Sequence, residues 1–249
     1  MNQKNRFQKM LLTTGLLALA QILTACSDTT SDNIKTSGLY SNYSVTNNTG
    51  SRAGTVHCQA VFHVGGSTGT YVILNSGDSV TCNGQGMSYS KDPILNQVVY
   101  SLDVPATADG NYNIVLSRPN EGPYASSVRL PAGIQPLAPT INTNIHKGTA
   151  FNVQWVANTT SSSSMSISLS YYYQENGETV QAIAYAPTSQ PESGSAWFTS
   201  SDTAGNPSAT GTWPATLTLS RTNFGSMASG LNGGISASQS VNVNVNLVD

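Results

Sequence analysis

Four short stretches carry residue types and spacings that could do chemistry. Gly65-Gly66-Ser67-Thr68-Gly69 satisfies the string G-x-S-x-G, in which a serine nucleophile stands on a tight strand-to-helix turn beside an oxyanion hole. Here the run Thr70-Tyr71-Val72-Ile73-Leu74 follows, so the glycines are predicted to turn one strand into the next and the serine lacks the context it would need. Ser88-Tyr89-Ser90-Lys91 satisfies S-x-x-K, but no helical pattern surrounds it and neither S-D-N nor K-T-G follows. His57 and His63 share one strand face. Six residues of strand separate them by roughly 20 Å, too far for one metal ion to bridge directly. His146 is isolated, and no residues show the spacing of a tight metal site. No catalytic residue, metal or cofactor is expected.

The aromatic residues are more suggestive. Ser170-Tyr171-Tyr172-Tyr173-Gln174 places Tyr171 and Tyr173 on one strand face and Tyr172 on the other. Whichever face is buried, at least one phenol should meet solvent. Tyr185, Trp197 and Trp213 follow in the same half of the chain. Exposed tyrosine and tryptophan in a polar frame suit contact with protein or sugar; the alternative is packing in the core and rim of a β-fold. Tyr171, Tyr172 and Tyr173 are the candidate contact surface.

The elements that would position these residues have a two-residue period. Thr55–Val64 puts Val56, Cys58, Ala60, Phe62 and Val64 on one face and His57, Gln59, Val61 and His63 on a wet one. Further strands are predicted near 39–46, 70–74, 79–82, 98–104, 111–117 and 124–130, the number and spacing of a sandwich of about 100 residues. Ser240–Val248 alternates Val241, Val243, Val245 and Leu247 with polar residues, mostly asparagines. It is predicted to be a half-buried strand, not a free apolar edge.

Ala108-Asp109-Gly110-Asn111-Tyr112 before an alternating strand resembles the corner that opens the F strand of immunoglobulin-like domains. There a tyrosine hydroxyl bonds back to nearby backbone. The resemblance implies that role for Tyr112 and implies the sandwich architecture. It does not extend to the subfamily, because Ile114 stands where a cysteine often sits.

A repeat sets the domain count. Residues 116–126 read LSRPNEGPYAS and residues 219–229 read LSRTNFGSMAS, seven identical positions in eleven, offset by 103. Each copy follows an alternating strand, so the repeat is predicted to be a tandem domain. Arg118 and Arg221 fall on it, two of only four arginines beyond residue 25. Both are assigned a structural role, donating to backbone or a carboxylate near the F–G turn. Between the copies, residues 130–142 hold three prolines, which mark a linker. The expected fold class is all-β: two tandem immunoglobulin-like β-sandwiches, over 38–135 and 136–249.

Ahead of them, Lys4, Arg6 and Lys9 precede an apolar stretch from Met10 to Leu23, the pattern of a secretory signal. Leu23-Thr24-Ala25-Cys26 resembles the lipobox of bacterial lipoproteins. That resemblance implies removal of residues 1–25 and acylation of Cys26. It also implies attachment to the outer membrane, given Ser27 in place of an aspartate. Several acyl chains on one residue make such attachment durable. Residues 26–37 are expected to be a flexible tether. Residues 26–249 carry seven basic and twelve acidic residues, a formal charge of −5, which disfavours nucleic acid as a partner. In an exported chain Cys58 and Cys82 favour a disulfide over a pair of buried free thiols.

The functional expectation is a noncatalytic, lipid-anchored interaction, adhesion or display module of the bacterial envelope, facing the periplasm or the exterior. Its partners would be the membrane and an unidentified protein. A subunit of a secretion, pilus or other envelope complex is one alternative, and a carbohydrate-binding protein or enzyme accessory module is another.

Overall fold

The computed structural model describes residues 29–48, 54–107, 109–119, 121–158, 163–175, 177–186, 193–204 and 211–249. Among them the chain is built from strands, with one short helix, α1 (Ser200–Ala204), and two 3-10 turns near the start.

In the first half β2 (Leu39–Asn47), β3 (Thr55–Val64), β8 (Val98–Pro105) and β7 (Ser88–Lys91) pair in that order. The facing sheet runs β10 (Gly122–Arg129), β9 (Asn111–Arg118), β5 (Ser79–Cys82) and β6 (Gln85–Gly86). These are the A-B-E-D and G-F-C sheets of an immunoglobulin-like sandwich. The predicted inward residues Val56, Cys58, Ala60 and Phe62 of β3 are all buried, and Phe62 meets Tyr43 and Tyr100 edge-on. Cys58 and Cys82 are paired as a disulfide that joins β3 to β5 across the two sheets. The Thr107 N–H donates to the buried Tyr112 hydroxyl at 3.2 Å, closing the corner that opens the F strand.

In the second half β11 (Pro136–Ala138), β13 (Phe151–Trp155) and β16 (Ser195–Phe198) form one sheet. They face β12 (Asn144–His146), β18 (Asn232–Val248), β17 (Trp213–Phe224), β14 (Ser164–Glu175) and β15 (Glu178–Ala186). The parallel pairing of β12 with β18 is the A′–G contact of the same architecture. The fold class is therefore all-β and immunoglobulin-like, as the sequence leads one to expect.

The two halves share an element. The buried residues of the first core run from Leu39 to Leu130 and those of the second from Ile134 to Leu247, but Leu231, Ile235 and Ala237 belong to the first. They lie on β18 and the turn before it. Over Asn232–Gln239 this strand pairs in parallel with β2 of the first sandwich. Over Ser236–Leu247 it pairs with β17 of the second. A continuous sheet thus crosses from one sandwich to the other, and residues 136–249 are not a unit folded apart from residues 38–135. The strand reaches further back than its alternating end shows, because Gly233, Gly234, Ser236 and Ser238 carry no large side chain.

A polar band keeps the cores distinct despite the shared sheet. Along its inward face β18 presents Ile235 and Ala237 to the first core and Val243, Val245 and Leu247 to the second, with buried Gln239 between them. Gln239 stands opposite Asn47 on β2 and Arg221 on β17, both also buried. Apolar side chains coalesce on either side of this row because amide and guanidinium groups are poor neighbours for an apolar core.

The turn between β17 and β18 clasps the first sandwich. Ser226 and Ser127 exchange backbone hydrogen bonds of 2.8 and 2.9 Å, which covers the edge of β10. Gly225 is required there: a Cβ would fall 2.1 Å from the Ser127 carbonyl oxygen. At Gly233, where φ is +125°, a Cβ would fall 2.0 Å from the Ser41 carbonyl oxygen of β2.

The expected flexible tether over 26–37 is corrected from residue 29 onward. β1 (Thr29–Thr30) pairs in parallel with β4 (Thr70–Ile73), and Ser31 and Thr36 are buried. Composition misled here because the segment is ordered mainly by polar contacts, with Ile34 its one large apolar side chain packed on the first core.

Candidate contact surface and the buried arginine anchors

The repeated phrase acquires a physical meaning from its arginines. Arg118, at the end of β9, donates to the Ser31 and Ile34 carbonyl oxygens at 2.8 Å each and to the Thr36 hydroxyl at 3.0 Å. Its Nε meets the buried Asp78 carboxylate at 3.2 Å. Glu121 completes the clasp by accepting from the Thr36 N–H and hydroxyl, and the Thr36 hydroxyl bond holds its carboxyl below the ordinary carboxylate range. Arg221, on β17, donates to the carbonyl oxygens of Ala132 and Gly133 at 3.0 and 2.8 Å and of Val156 at 3.2 Å. Each arginine stands on the F strand of its sandwich and pins the segment that leads into that sandwich. The structural role read from the sequence is right in kind; the position is the entry segment and not the F–G turn.

Of the three adjacent tyrosines, Tyr172 alone faces outward. Tyr171 is 3% exposed, stacks on Trp213 with centroids 5.8 Å apart, and donates to the Asp202 carbonyl oxygen. Tyr173 is half-buried against Trp213 at 5.3 Å. Lys147 lies over the Trp213 ring, its Nζ 3.8 Å from the centroid and 2.7 Å from the Asp249 carboxylate. The expected surface over Tyr171–Tyr173 is thus corrected to Tyr172, since Tyr171 belongs to the second core. Sequence reading named Tyr185 but did not place it beside Tyr172, and it missed Ile183. Ile183 and Tyr185 on β15 stand opposite Ser170 and Ser168 of β14 on the same outward face. Tyr172, Ile183 and Tyr185 are 53%, 52% and 70% exposed. Alternation within Glu178–Ala186 was the signal that could have found them. Trp197 is exposed on the opposite sheet.

A second feature opens where the sandwiches meet. A cleft of about 430 Å³ on the outer side of the shared sheet is lined by Asn42, Ser44, Gln59, Val61, Phe224 and Ser236. Phe224 is largely exposed above it. Tyr43 borders it as well, and burial pushes that phenol up to about 12.

The histidines are placed apart, as their spacing requires. His57 pairs with Asp103 at 2.7 Å on the exposed face. His63, expected to face water, is buried under Tyr71, the ring centroids 4.6 Å apart. β4 folds back over this end of β3, and burial lowers the imidazole pKa. Gly65–Gly69 joins β3 to β4 and Ser88–Lys91 is strand β7, so both serine motifs lie in a strand or hairpin context. Among the described residues no cluster of histidine, cysteine, aspartate and glutamate could hold a metal ion, and no helix is long and apolar enough to cross a membrane. Residues 1–28, with Cys26, lie outside the described residues.

No protein-family model matches the chain. No curated protein matches it either. Among solved structures, the chain is similar to a three-domain immunoglobulin segment of titin in a Glu-to-Ala variant. The two are 10% identical, and the match covers 76% of this chain and 74% of that one with a TM-score of 0.15. The immunoglobulin-like assignment rests on the strand order described above and takes nothing from that superposition.

Proposed function

We propose that this protein is a noncatalytic contact module held at a bacterial membrane surface by acyl chains on Cys26. The observation that carries the reading is the docked start of the chain. Thr29 is already paired with Val72, and three residue steps from Cys26 span at most roughly 10 Å. An acylated Cys26 would hold the first sandwich close against the headgroups. The outward patch of Tyr172, Ile183 and Tyr185 lies in the second sandwich, away from the anchored segment in the chain. Aromatic side chains in an uncharged surround are the composition of protein contact surfaces. Placement at the outer membrane, and membership of a secretion, pilus or other envelope assembly, extend the same reading.

Feeding cells an alkyne-tagged fatty acid tests the anchor. Label on the parent chain and none on Cys26→Ser, with Cys26→Ser released from the membrane fraction, is the expected result. An unlabelled parent, or a Cys26→Ser chain that stays membrane-bound, would refute it. Cross-linking in intact cells then identifies the protein partner.

The junction cleft favours one further reading, binding of a neutral carbohydrate. Amides at Asn42 and Gln59 can serve hydroxyl groups while Phe224 offers a flat apolar face to a sugar ring. Protection of the Phe224 region from hydrogen exchange by soluble envelope glycans would support it, and no protection at millimolar glycan would reject it.

A further inference from the structure

We infer that the free edge of β15 is a self-association surface, which pairs antiparallel about Ala182 with β15 of a second copy of this chain. β15 bonds to β14 through nine residue pairs, from Glu175–Glu178 to Ile167–Ala186. On its other side no described residue bonds to its backbone. Among the described residues the chain itself covers other edges, in whole or in part. β18 takes the edge of β2, β1 takes that of β4, and Ser226 caps that of β10. The outer strand β7 is four residues long and ends in Lys91. α1 and β16 pack close to β15 without bonding to its backbone, and the strand itself has few of the devices that keep a nine-residue edge solitary. It carries no proline and no lysine, its register with β14 has no bulge, and its one charge, Glu178, sits at the hairpin end.

The sequence of the strand selects a second copy as the occupant. Paired about Ala182, Thr179 meets Tyr185, Val180 meets Ala184, Gln181 meets Ile183, and Glu178 meets Ala186. No like charges face each other, and small residues fill the inner face where two sheets must abut. Exposed Thr–Tyr and Gln–Ile pairs form on the outer face, the kind of cross-strand contact that stabilises antiparallel sheets. The two-fold operation uses the same strand on both sides, so the contact closes as a dimer and does not propagate. It also brings Ile183 and Tyr185 of both copies into one apolar patch.

The register gives a sharp test. In a Cys26→Ser background, Ala182→Cys places two thiols opposite each other, at the roughly 5 Å Cβ separation of a cross-strand pair. A disulfide-linked dimer of the full chain on a non-reducing gel is expected. Thr179→Cys alone is expected to give none, and a mixture of Thr179→Cys with Tyr185→Cys is expected to give one. In sedimentation velocity Ile183→Lys, a substitution at an exposed position, is expected to weaken association at least about tenfold with an unchanged melting curve. Should it unfold the hairpin, Gln181→Lys on the same face replaces it. A chain that stays monomeric at about 100 µM, a concentration at which a contact with a Kd of about 1 µM would be largely formed, overturns the inference. So does a dimer indifferent to these lysines, or cross-linking at Thr179→Cys as efficient as at Ala182→Cys. Because acylation is absent throughout, failure here is distinguishable from failure of the membrane anchor.

Discussion

Replacing Arg118 with methionine should detach the entry segment from the first sandwich. Methionine keeps much of the side-chain length but removes every donor. The Ser31 and Ile34 carbonyl oxygens and the Thr36 hydroxyl each lose a bond from a charged group, bonds worth about 1.5–3 kcal/mol apiece in buried settings. These losses do not simply add, because a detached segment recovers water. The greater cost falls on Asp78, whose side chain is 1% exposed and whose cation is Arg118. Removing one member of a buried ion pair costs about 3–5 kcal/mol, and that is the loss expected in urea unfolding at neutral pH. It should also be local: hydrogen exchange over 31–38 should rise towards the rate of unprotected amides while β14 and β17 keep their protection. Arg118→Lys should fall between parent and Arg118→Met, since one ammonium group retains the charge but cannot reach all the acceptors. A loss below about 1 kcal/mol, or exchange rising equally in the second sandwich, would refute the assignment of Arg118 as the clasp.

Three further outcomes are expected. Gln239 is buried with both amide atoms unpaired, so Gln239→Met should leave the protein as stable or up to about 1–3 kcal/mol more stable in chemical unfolding; a clear loss would mean that the amide has a partner. Cys58→Ser opens the 24-residue disulfide loop and should lower stability by on the order of 3 kcal/mol, read by calorimetry with and without reductant. Burial lowers the His63 pKa, so the unfolded chain binds this proton more readily than the folded one: its contribution is complete above the unfolded value near 6.5 and is lost as pH falls from there towards the folded value. Unfolding midpoints across that window should decline for the parent and flatten in His63→Phe.

Much of this fold is legible locally. β3 and β5 have the limits their alternation implies, and Tyr112 makes the backbone bond its motif implies, because period and turn chemistry are carried by neighbouring residues. What escapes is set by partners distant in sequence. Residues 29–37 hold a single large apolar side chain, and nothing near them shows that an arginine some 84 residues later will bind their carbonyls. Gly233–Ser238 has only Ile235 as a large apolar side chain and so gives no strand signal, yet the bare backbone at Gly233 is what allows β18 to lie against β2. Tyr171 and Tyr172 differ by one position and have opposite fates. Alternation establishes that they differ; which one faces water depends on where Trp213 packs.

The repeat shows how a duplicated sandwich can become a joint one. In both copies the arginine pins the segment that enters its own domain, so that part of the plan is kept. The glycine four positions later has diverged in use. Gly122 opens β10 at φ +84°, while Gly225 lets the second copy's turn approach β10 of the first. With the turn extended, β18 acquires eight additional pairs on β2 and supplies Ile235 and Ala237 to a core that is not its own. Two cores that share a strand cannot lose it independently. Unfolding of the second sandwich strips an edge from the first and exposes part of its interior, whereas the band of Asn47, Gln239 and Arg221 keeps the apolar clusters from merging. The sandwiches are therefore separate in their packing and coupled in their stability, through β18 and the turn that precedes it.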